Sequence, residues 1–169
     1  MKNNFAYEDK EIAGFHIPRW NEIPKIDLYL DQLVCLLEQY LSNYIKNDDS
    51  EKIITKTMIN NYVKHKIINP PVNKKYNTEH IAYLFVICIL KQVYSINDIA
   101  ELIKLAIDTV SPETAYNQFC DELEKAISLT FAGQEYTGRE IMTKEKYILR
   151  NVVQSFANQL YVKRVYLKK

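Results

Sequence analysis

The amino-acid sequence predicts an all-α protein with a small two-stranded wing, and three observations support this fold class. Of the 169 residues, 47% are apolar, which is enough for a sizeable core. Only three residues are glycine, whereas a β-sandwich or barrel usually needs more glycine for its many tight turns. Apolar residues recur every three or four positions along most of the chain, which is the period of an amphipathic helix.

The N-terminal segment is predicted to be mostly non-helical. The first fifteen residues are polar, and we expect them to be loosely held. Pro18 and Pro24 then bracket the single tryptophan, Trp20. Because a residue before proline avoids the α conformation, this stretch is predicted to be extended. Trp20 is large and apolar, so the stretch should lie across the body of the protein.

A first long helix is expected soon after Pro24. Asp27 and Asp31 suit the positive N-terminal end of such a helix. Residues 46–51, "KNDDSE", are predicted to form the polar loop that follows. The apolar positions of this first long helix lie three or four residues apart: Ile26, Tyr29, Leu30, Leu33, Leu36, Leu37, Tyr40, Leu41 and Tyr44.

A short second helix is predicted to begin after Thr55, which is a suitable N-cap. Ile59, Tyr62 and Val63 would form its apolar side. A helix cannot continue across Pro70 and Pro71, so residues 67–76 are predicted to be two short extended arms around a turn, which is the wing. The polar side of the helix would carry Lys56, Thr57, Asn60, Asn61 and Lys64.

Four further helices complete the prediction. The third begins at Asn77 or Thr78 and is apolar nearly all round, so it should be the central buried helix. A fourth begins after Ser95, which forms a capping box with Asp98. A fifth begins at Ser111 and runs to about Phe131, and its inward residues are expected to be Tyr116, Phe119, Cys120, Leu123, Ala126 and Ile127. The last helix opens at Thr143, and its apolar stripe is Tyr147, Ile148, Val152, Phe156, Leu160 and Val165.

Two parts are expected, with a soft boundary near Val110. Residues 1–110 would hold the N-terminal arm, the short second helix and the wing. Residues 111–169 would form a C-terminal helical part, whose last helix is the candidate for pairing in a homodimer.

Positive charge is gathered in two blocks, although the net charge of the chain is only +1. Residues 52–76 hold six lysines, and no acid occurs between Lys52 and Asn77. Residues 140–169 hold seven bases and two acids, a balance of +5. Such an uneven distribution of charge is typical of a protein that binds a polyanionic partner. The alternative interpretation is a lysine face that is merely solvated.

Other classes of function find little support in the sequence. His16, His65 and His80 lie far apart, and neither a glycine-rich phosphate loop nor a recognised catalytic motif occurs, so we expect no enzyme, no metal and no cofactor. No long apolar run or signal-type leader is present, which favours a cytoplasmic protein. Cys35, Cys88 and Cys120 are then expected to be reduced, buried hydrophobes.

A stretch that includes "TMINNYVKHKIINPP" and "KKYNTEHIAYL" resembles the winged helix-turn-helix of MerR-type transcription regulators. That family reads approximately T-L-R-Y-Y-E-R-E-G-L-I over the first block, then P, then R-x-Y. Pro70 matches the proline, and Lys74 and Tyr76 take the R-x-Y positions. With "IPRWNEIPKIDLYLDQ", the pattern is also similar to a family of uncharacterised bacterial proteins described as MerR-like regulators.

The resemblance implies a winged helix-turn-helix fold and a dimeric, DNA-binding regulator of transcription. The chain departs from the pattern at Asn60 and Asn61, which replace an arginine and a tyrosine, and at Lys66, which replaces a glycine. No metal-binding cysteine pattern follows the last helix, so metal sensing is not implied.

A DNA interface is the functional prediction. Lysines neutralise phosphates and release counterions, and an asparagine amide pairs with the edge of adenine in the major groove. The alternative is a non-catalytic protein-interaction module that keeps the helix-turn-helix scaffold. The predicted contacts to double-stranded DNA are Lys56, Thr57, Asn60, Asn61, Lys64, Lys74, Lys75 and Tyr76.

Overall fold

A computed structural model describes residues 4–45, 50–138 and 141–167 of the chain. Over these ranges the protein is mainly helical with one small antiparallel sheet, which confirms the predicted prevalence of helix. Most of the predicted 46–51 loop lies outside the described residues. The helices are α1 Lys10–Ala13, α2 Leu30–Ile45, α3 Lys56–Lys64, α4 Thr78–Leu90, α5 Ile96–Thr109, α6 Pro112–Phe131 and α7 Lys144–Val165, and the strands are β1 Leu28–Tyr29 and β2 Lys75–Tyr76.

The predicted helix starts are confirmed by hydrogen bonds at the caps. At each cap a side-chain oxygen accepts a hydrogen bond from the backbone N–H three residues further on, which satisfies one of the amides that a helix start leaves unpaired. These capping residues are Thr55, Asn77, Ser95, Ser111 and Thr143.

The start of α2 differs from the prediction. The helix begins at Leu30 and not directly after Pro24, because Leu28 and Tyr29 form strand β1. Their backbone groups pair with β2, in the register Leu28 opposite Tyr76 and Tyr29 opposite Lys75. Ile26, predicted to lie on the apolar side of the helix, is 78% exposed.

The two-stranded sheet is present, but its strands are not the two arms of the 67–76 segment as predicted. One strand, β2, comes from that segment, and β1 comes from the residues before α2. Among the described residues, the arms of the segment meet each other only at the bridge between Val72 and Lys75. Pro70 and Pro71 lack the N–H groups that a longer ladder would need on that arm.

The chain divides into two compact units, Ile17–Asn117 and the pair of segments Met1–His16 and Gln118–Lys169. The predicted boundary near Val110 does not coincide with the division between the two units, which falls after Asn117. The N-terminal segment belongs with the C-terminal helices. The described part of this segment is also packed, in contrast to the prediction: Ile12 and Phe15 are buried, and Asp9 caps α1. Arg164 binds both Asp9 and Glu11.

The core of the unit Ile17–Asn117 is built on α4, as predicted. Ten of the thirteen residues of α4 are buried, so this helix has no solvent face. Helix α2 lies against α3, α4 and both strands and buries Leu33, Leu37 and Leu41. Residues Trp20–Glu22 form one turn of 3₁₀ helix in the stretch predicted to be extended, with Trp20 packed edge-on against Tyr116.

The other unit is built on the C-terminal part of α6 and on α7. The inward side of α6 agrees with the prediction, with Phe119, Cys120, Leu123, Ala126 and Ile127 all buried. The stripe of α7 agrees in its centre and not at its ends, because Tyr147 and Val165 are exposed. The buried residues of α7 are Val152, Val153, Phe156, Ala157 and Leu160.

The cysteines also differ in part from the prediction. Cys88 and Cys120 are buried, whereas Cys35 lies exposed on α2. Cys35 is two residues from Leu33 and from Leu37, about 200° around the helix, so it faces away from the side that α2 buries. None of the helices in the described ranges is both long and apolar enough to span a lipid bilayer.

Candidate nucleic-acid interface

The N-terminal end of α3 is fixed by two charged side chains from neighbouring helices. Glu38 of α2 accepts hydrogen bonds from the backbone N–H groups of Ile53, at 2.7 Å, and Ile54, at 3.4 Å. Lys91, the residue after α4, donates to the carbonyl oxygen of Ile53 and contacts the sulfur of Met58 at 3.7 Å. The backbone just before α3 is therefore fixed by hydrogen bonds to both its N–H groups and its carbonyl oxygen.

The same corner lies beside the buried thiol of Cys88. Burial raises the pKa of this thiol to about 12, with the nearby Lys91 opposing the rise and Glu38 adding to it. Cys88 is therefore protonated at neutral pH and serves as an apolar packing residue.

The C-terminal end of α3 is closed by a Schellman motif. The N–H of Lys66 donates to the carbonyl of Val63 at 3.0 Å, and the N–H of Ile67 donates to that of Tyr62 at 2.8 Å. Lys66 takes the left-handed conformation that this motif requires, with φ of 59°. Glycine is the usual residue at such a position, and the resembled regulators carry glycine there.

Between these ends, α3 turns one continuous polar arc toward solvent. Ile59 is fully buried and anchors the opposite side, and Met58, Tyr62 and Val63 are half-buried beside it. At 100° per residue the exposed positions span an arc of about 140°. These exposed residues are the predicted set Lys56, Thr57, Asn60, Asn61 and Lys64.

The side chains of this arc differ in whether they form hydrogen bonds or ion pairs with other residues of the chain. Lys56 forms an ion pair with Asp31 in the first turn of α2, so a phosphate would have to compete with that carboxylate. Both side chains of the pair are largely exposed, and such surface pairs contribute at most about 1 kcal/mol. Thr57, Asn60, Asn61 and Lys64 have no side-chain hydrogen bond or ion pair among the residues that the structure describes.

A tight hairpin follows α3. Val72 and Lys75 exchange two backbone hydrogen bonds of 3.0 Å, and the two residues between them are left-handed, with φ of 51° at Asn73 and 62° at Lys74. These features define a two-residue type I′ turn. Lys74 is exposed at the tip, and Val72 beside it is 66% exposed.

The last two predicted contact residues lie further inside. The ammonium of Lys75 lies 5.0 Å from the ring centroid of Tyr29 across the sheet, and Lys75 is half-buried. Tyr76 is only 3% exposed and packs edge-on against the ring of His80. Its hydroxyl was predicted to be a phosphate donor, but the ring alternates to the inner side of β2 and belongs to the core.

His80 joins the hairpin segment to α4. Its Nδ1 accepts from the N–H of Asn77 at 3.0 Å, so its Nε2 carries the proton and donates to the carbonyl of Asn69, also at 3.0 Å. His80 therefore has a structural role, because its ring replaces the usual acid of a capping box at the start of α4.

Sequence reasoning missed Glu38 and Lys91 as the residues that position α3. Glu38 lies fifteen residues before Ile53 and Lys91 lies thirty-eight residues after it, so no local pattern connects them. For Lys66 a signal was present, because glycine in the resembled pattern marks a left-handed position.

Sites of other chemistry are scarce in the described ranges. No group of three His, Cys, Asp or Glu side chains there could hold a metal ion. A shallow, open groove of about 410 Å³ runs along α2, lined by Pro24, Leu28, Asp31, Gln32, Cys35, Leu36 and Gln39.

The fold and site thus define a mainly helical protein in which a short polar helix and a type I′ hairpin follow one another. The chain belongs to the family described as domain of unknown function DUF1836, whose profile matches residues 18–119. This range nearly coincides with the compact unit Ile17–Asn117, so the unit that carries α3 and the hairpin is the one that defines the family. No curated protein matches the chain, and no solved structure matches it.

Proposed function

We propose that the protein is a cytoplasmic, sequence-specific DNA-binding regulator of transcription, in which α3 reads bases in the major groove. The arc of α3 would supply Asn60 or Asn61 to base edges and Lys64 to the phosphate backbone. The hairpin would act as a short wing that places Lys74 against the backbone of the same duplex.

The observation that carries this proposal is the exposed polar arc of α3, which lies on a firmly anchored helix and in which, among the described residues, only Lys56 is bound to another side chain. A solvent-exposed helix that binds no partner often carries charges of both signs. Here the exposed arc combines amide, hydroxyl and ammonium groups and no acid, and these groups are the ones that bind base edges and phosphates. Both ends of the helix are fixed, as a reading element requires.

Backbone geometry supports the resemblance to MerR-type regulators at one further point. The resembled pattern has glycine at the position of Lys66, which lies four residues before Pro70 in this chain. Its φ of 59° is the conformation for which glycine is the usual choice. The register of the resemblance therefore agrees with the observed end of α3.

Between the two asparagines, Asn61 is the better placed to read a base. It lies about 160° around the helix from the buried Ile59, whereas Asn60 lies about 100° from it. Asn61 therefore points more directly away from Ile59 than Asn60 does.

The proposed regulator acts as a homodimer, because two copies double the contact with a palindromic site. Helix α7 is the candidate pairing element, since Tyr147, Val162 and Val165 on it are exposed apolar residues. Sedimentation equilibrium of the full chain, compared between wild type and a Val162→Lys variant, tests this part. A wild-type monomer at concentrations that saturate DNA would contradict it.

Selection of bound sequences from random double-stranded DNA tests the main proposal. The full chain is incubated with a random duplex pool at low salt, and the recovered sequences are compared with those recovered with a denatured sample. Enrichment of one motif, which then competes better than its scrambled version, supports the proposal. Failure to retain any duplex at low salt would contradict it.

A second candidate, a protein-interaction module, is favoured by the surface near α2. Ile26 and Tyr29 are 78% and 51% exposed, and the groove along α2 lies in the same part of the chain. An apolar partner segment would bind there without needing the polar arc. DNA affinity of an Ile26→Asp variant tests whether the two surfaces are distinct. If the variant keeps full DNA affinity, the surface near α2 is not part of the DNA interface.

A further inference from the structure

Two lysines of the basic segment occupy backbone positions that suit glycine. Lys66 has φ of 59° and Lys74 has φ of 62°, both in the left-handed region. A residue with a Cβ atom is strained there, and asparagine is the side chain that tolerates the region best after glycine. The turn residue Asn73 follows this preference, whereas the two lysines do not.

Local structure gives no sufficient reason for lysine at these two positions. Both side chains are exposed and make no hydrogen bond or ion pair with any residue in the described ranges. A cation near the carbonyl end of α3 gains a little from the helix dipole, which applies to Lys66 and not to the hairpin tip. At the tip, Asn-Gly is the preferred pair for a type I′ turn, and the chain has Asn-Lys.

We propose that Lys66 and Lys74, which both follow the reading helix in the chain, are phosphate contacts, and that their positive charge is retained at the expense of stability. Lys66 lies where α3 ends, and Lys74 lies at the tip of the hairpin that follows. This inference rests on the proposed function, because it names further backbone contacts of the same DNA interface. It adds Lys66 to that interface and ascribes the strained backbone at both positions to DNA binding.

Glycine substitution tests the inference, because it should change stability and binding in opposite directions. Lys66→Gly and Lys74→Gly should each raise the folding equilibrium constant, roughly fivefold, as measured by urea unfolding without DNA. Each should also reduce the steepness of the log–log dependence of duplex affinity on salt by about 0.9, the value for one phosphate contact. The duplex is the motif recovered by selection, used at one fixed set of salt concentrations.

A matched lysine on α5 provides the control. Lys104 is exposed in the middle of that helix, with an ordinary helical backbone and with Glu101 and Asp108 on neighbouring turns. Lys104→Gly should lower stability, since glycine weakens a helix interior, and should leave the salt dependence unchanged. Lys66→Arg keeps the charge and should keep the wild-type salt dependence.

The outcomes separate this inference from the proposed function. If wild type binds no duplex at low salt, both fail together. If wild type binds and both glycine variants keep its salt dependence, only the present inference fails. If the glycine variants are less stable than wild type, the inference also fails, because the lysines would then not be strained by the left-handed backbone. Lys66→Asn, which accepts the left-handed backbone without a charge, repeats the binding test in case a glycine variant does not fold.

Discussion

The two basic blocks of the chain use their charge in different ways. In residues 52–76, Lys64, Lys66 and Lys74 are exposed and bind no other side chain in the described ranges. In the C-terminal block both arginines of α7 are engaged: Arg150 binds Glu122 and stacks 3.8 Å from the ring centroid of Tyr136, and Arg164 binds Asp9 and Glu11. These three lysines of the first block face outward, whereas the arginines of the second hold their unit together.

This difference shows that the sign of a charged segment does not by itself identify a binding surface. The blocks have similar balances, +6 and +5, and sequence counts do not separate them. They are separated by the acids that the fold brings near: Glu122 from α6 and Asp9 from the N-terminal segment reach α7, while Asp31 is the only acid of the described residues that pairs with the α3 arc. The following predictions test whether one block serves stability and the other binding.

The largest effect is expected from Arg150→Met. The side chains of Arg150 and Glu122 are only 11% and 16% exposed, so the substitution leaves a mostly buried carboxylate without its partner. We expect a loss of about 3 kcal/mol in the free energy of unfolding, measured with urea, and an unchanged salt dependence of DNA binding. The double variant Glu122→Gln with Arg150→Met should regain most of this loss, because no buried charge remains. A single-variant loss below about 1 kcal/mol would show that the second block is not needed for stability.

A smaller effect, on specificity, is expected from the asparagines of the first block. Asn61→Ala should lose about 1–3 kcal/mol of preference for the selected sequence over a scrambled duplex, because a bidentate amide–adenine pair is removed. Non-specific affinity should remain, since the lysines provide it. Competition binding with both duplexes gives the ratio, and Asn60→Ala is the matched comparison. If both variants keep the wild-type ratio while folded, α3 is not the reading helix.

The next effect is expected from Lys64→Ala. It should lower the steepness of the salt dependence by about 0.9 for every sequence tested, with stability within about 0.5 kcal/mol of wild type. Titrations of selected and scrambled duplexes at several salt concentrations provide the measurement. Lys144→Ala is the control from the second block, because Lys144 is an exposed lysine at the start of α7. Equal changes in both variants would contradict the division between the blocks.

Sequence patterns predicted the helices well because the signals for helix starts are local. Thr55, Ser95 and Thr143 each act within three residues of their own position, so each cap could be identified before the fold was known. The apolar period similarly indicated the buried sides of α4 and α6. Exposure at the ends of α7 was missed, because whether a stripe is covered depends on the neighbouring elements and not on the period.

The candidate site was less accessible to sequence reasoning. The exposed arc of α3 follows from helical spacing around Ile59, and all five of its predicted residues are exposed. The inward position of Tyr76 and the ion pair between Lys56 and Asp31 depend on contacts between distant segments. The pairing partner of β2 was missed for the same reason, since two-residue strands such as β1 carry no alternating pattern to detect.

The pairing of β1 with β2 has a consequence for the order of folding. The type I′ turn is local, but Leu28 and Tyr76 are distant in sequence, and closing the chain between them costs entropy before the sheet can form. We therefore expect the hairpin to dock on β1 late, after the helices have packed. Tyr29→Ala, which removes the ring under Lys75, should then raise the unfolding rate roughly twofold to fivefold and leave the folding rate unchanged in stopped-flow measurements. An equal slowing of folding would place the sheet in the transition state. In the expected order, α3 is complete and anchored before the hairpin reaches its final position, so a newly made chain would acquire the proposed reading helix first and the proposed wing second.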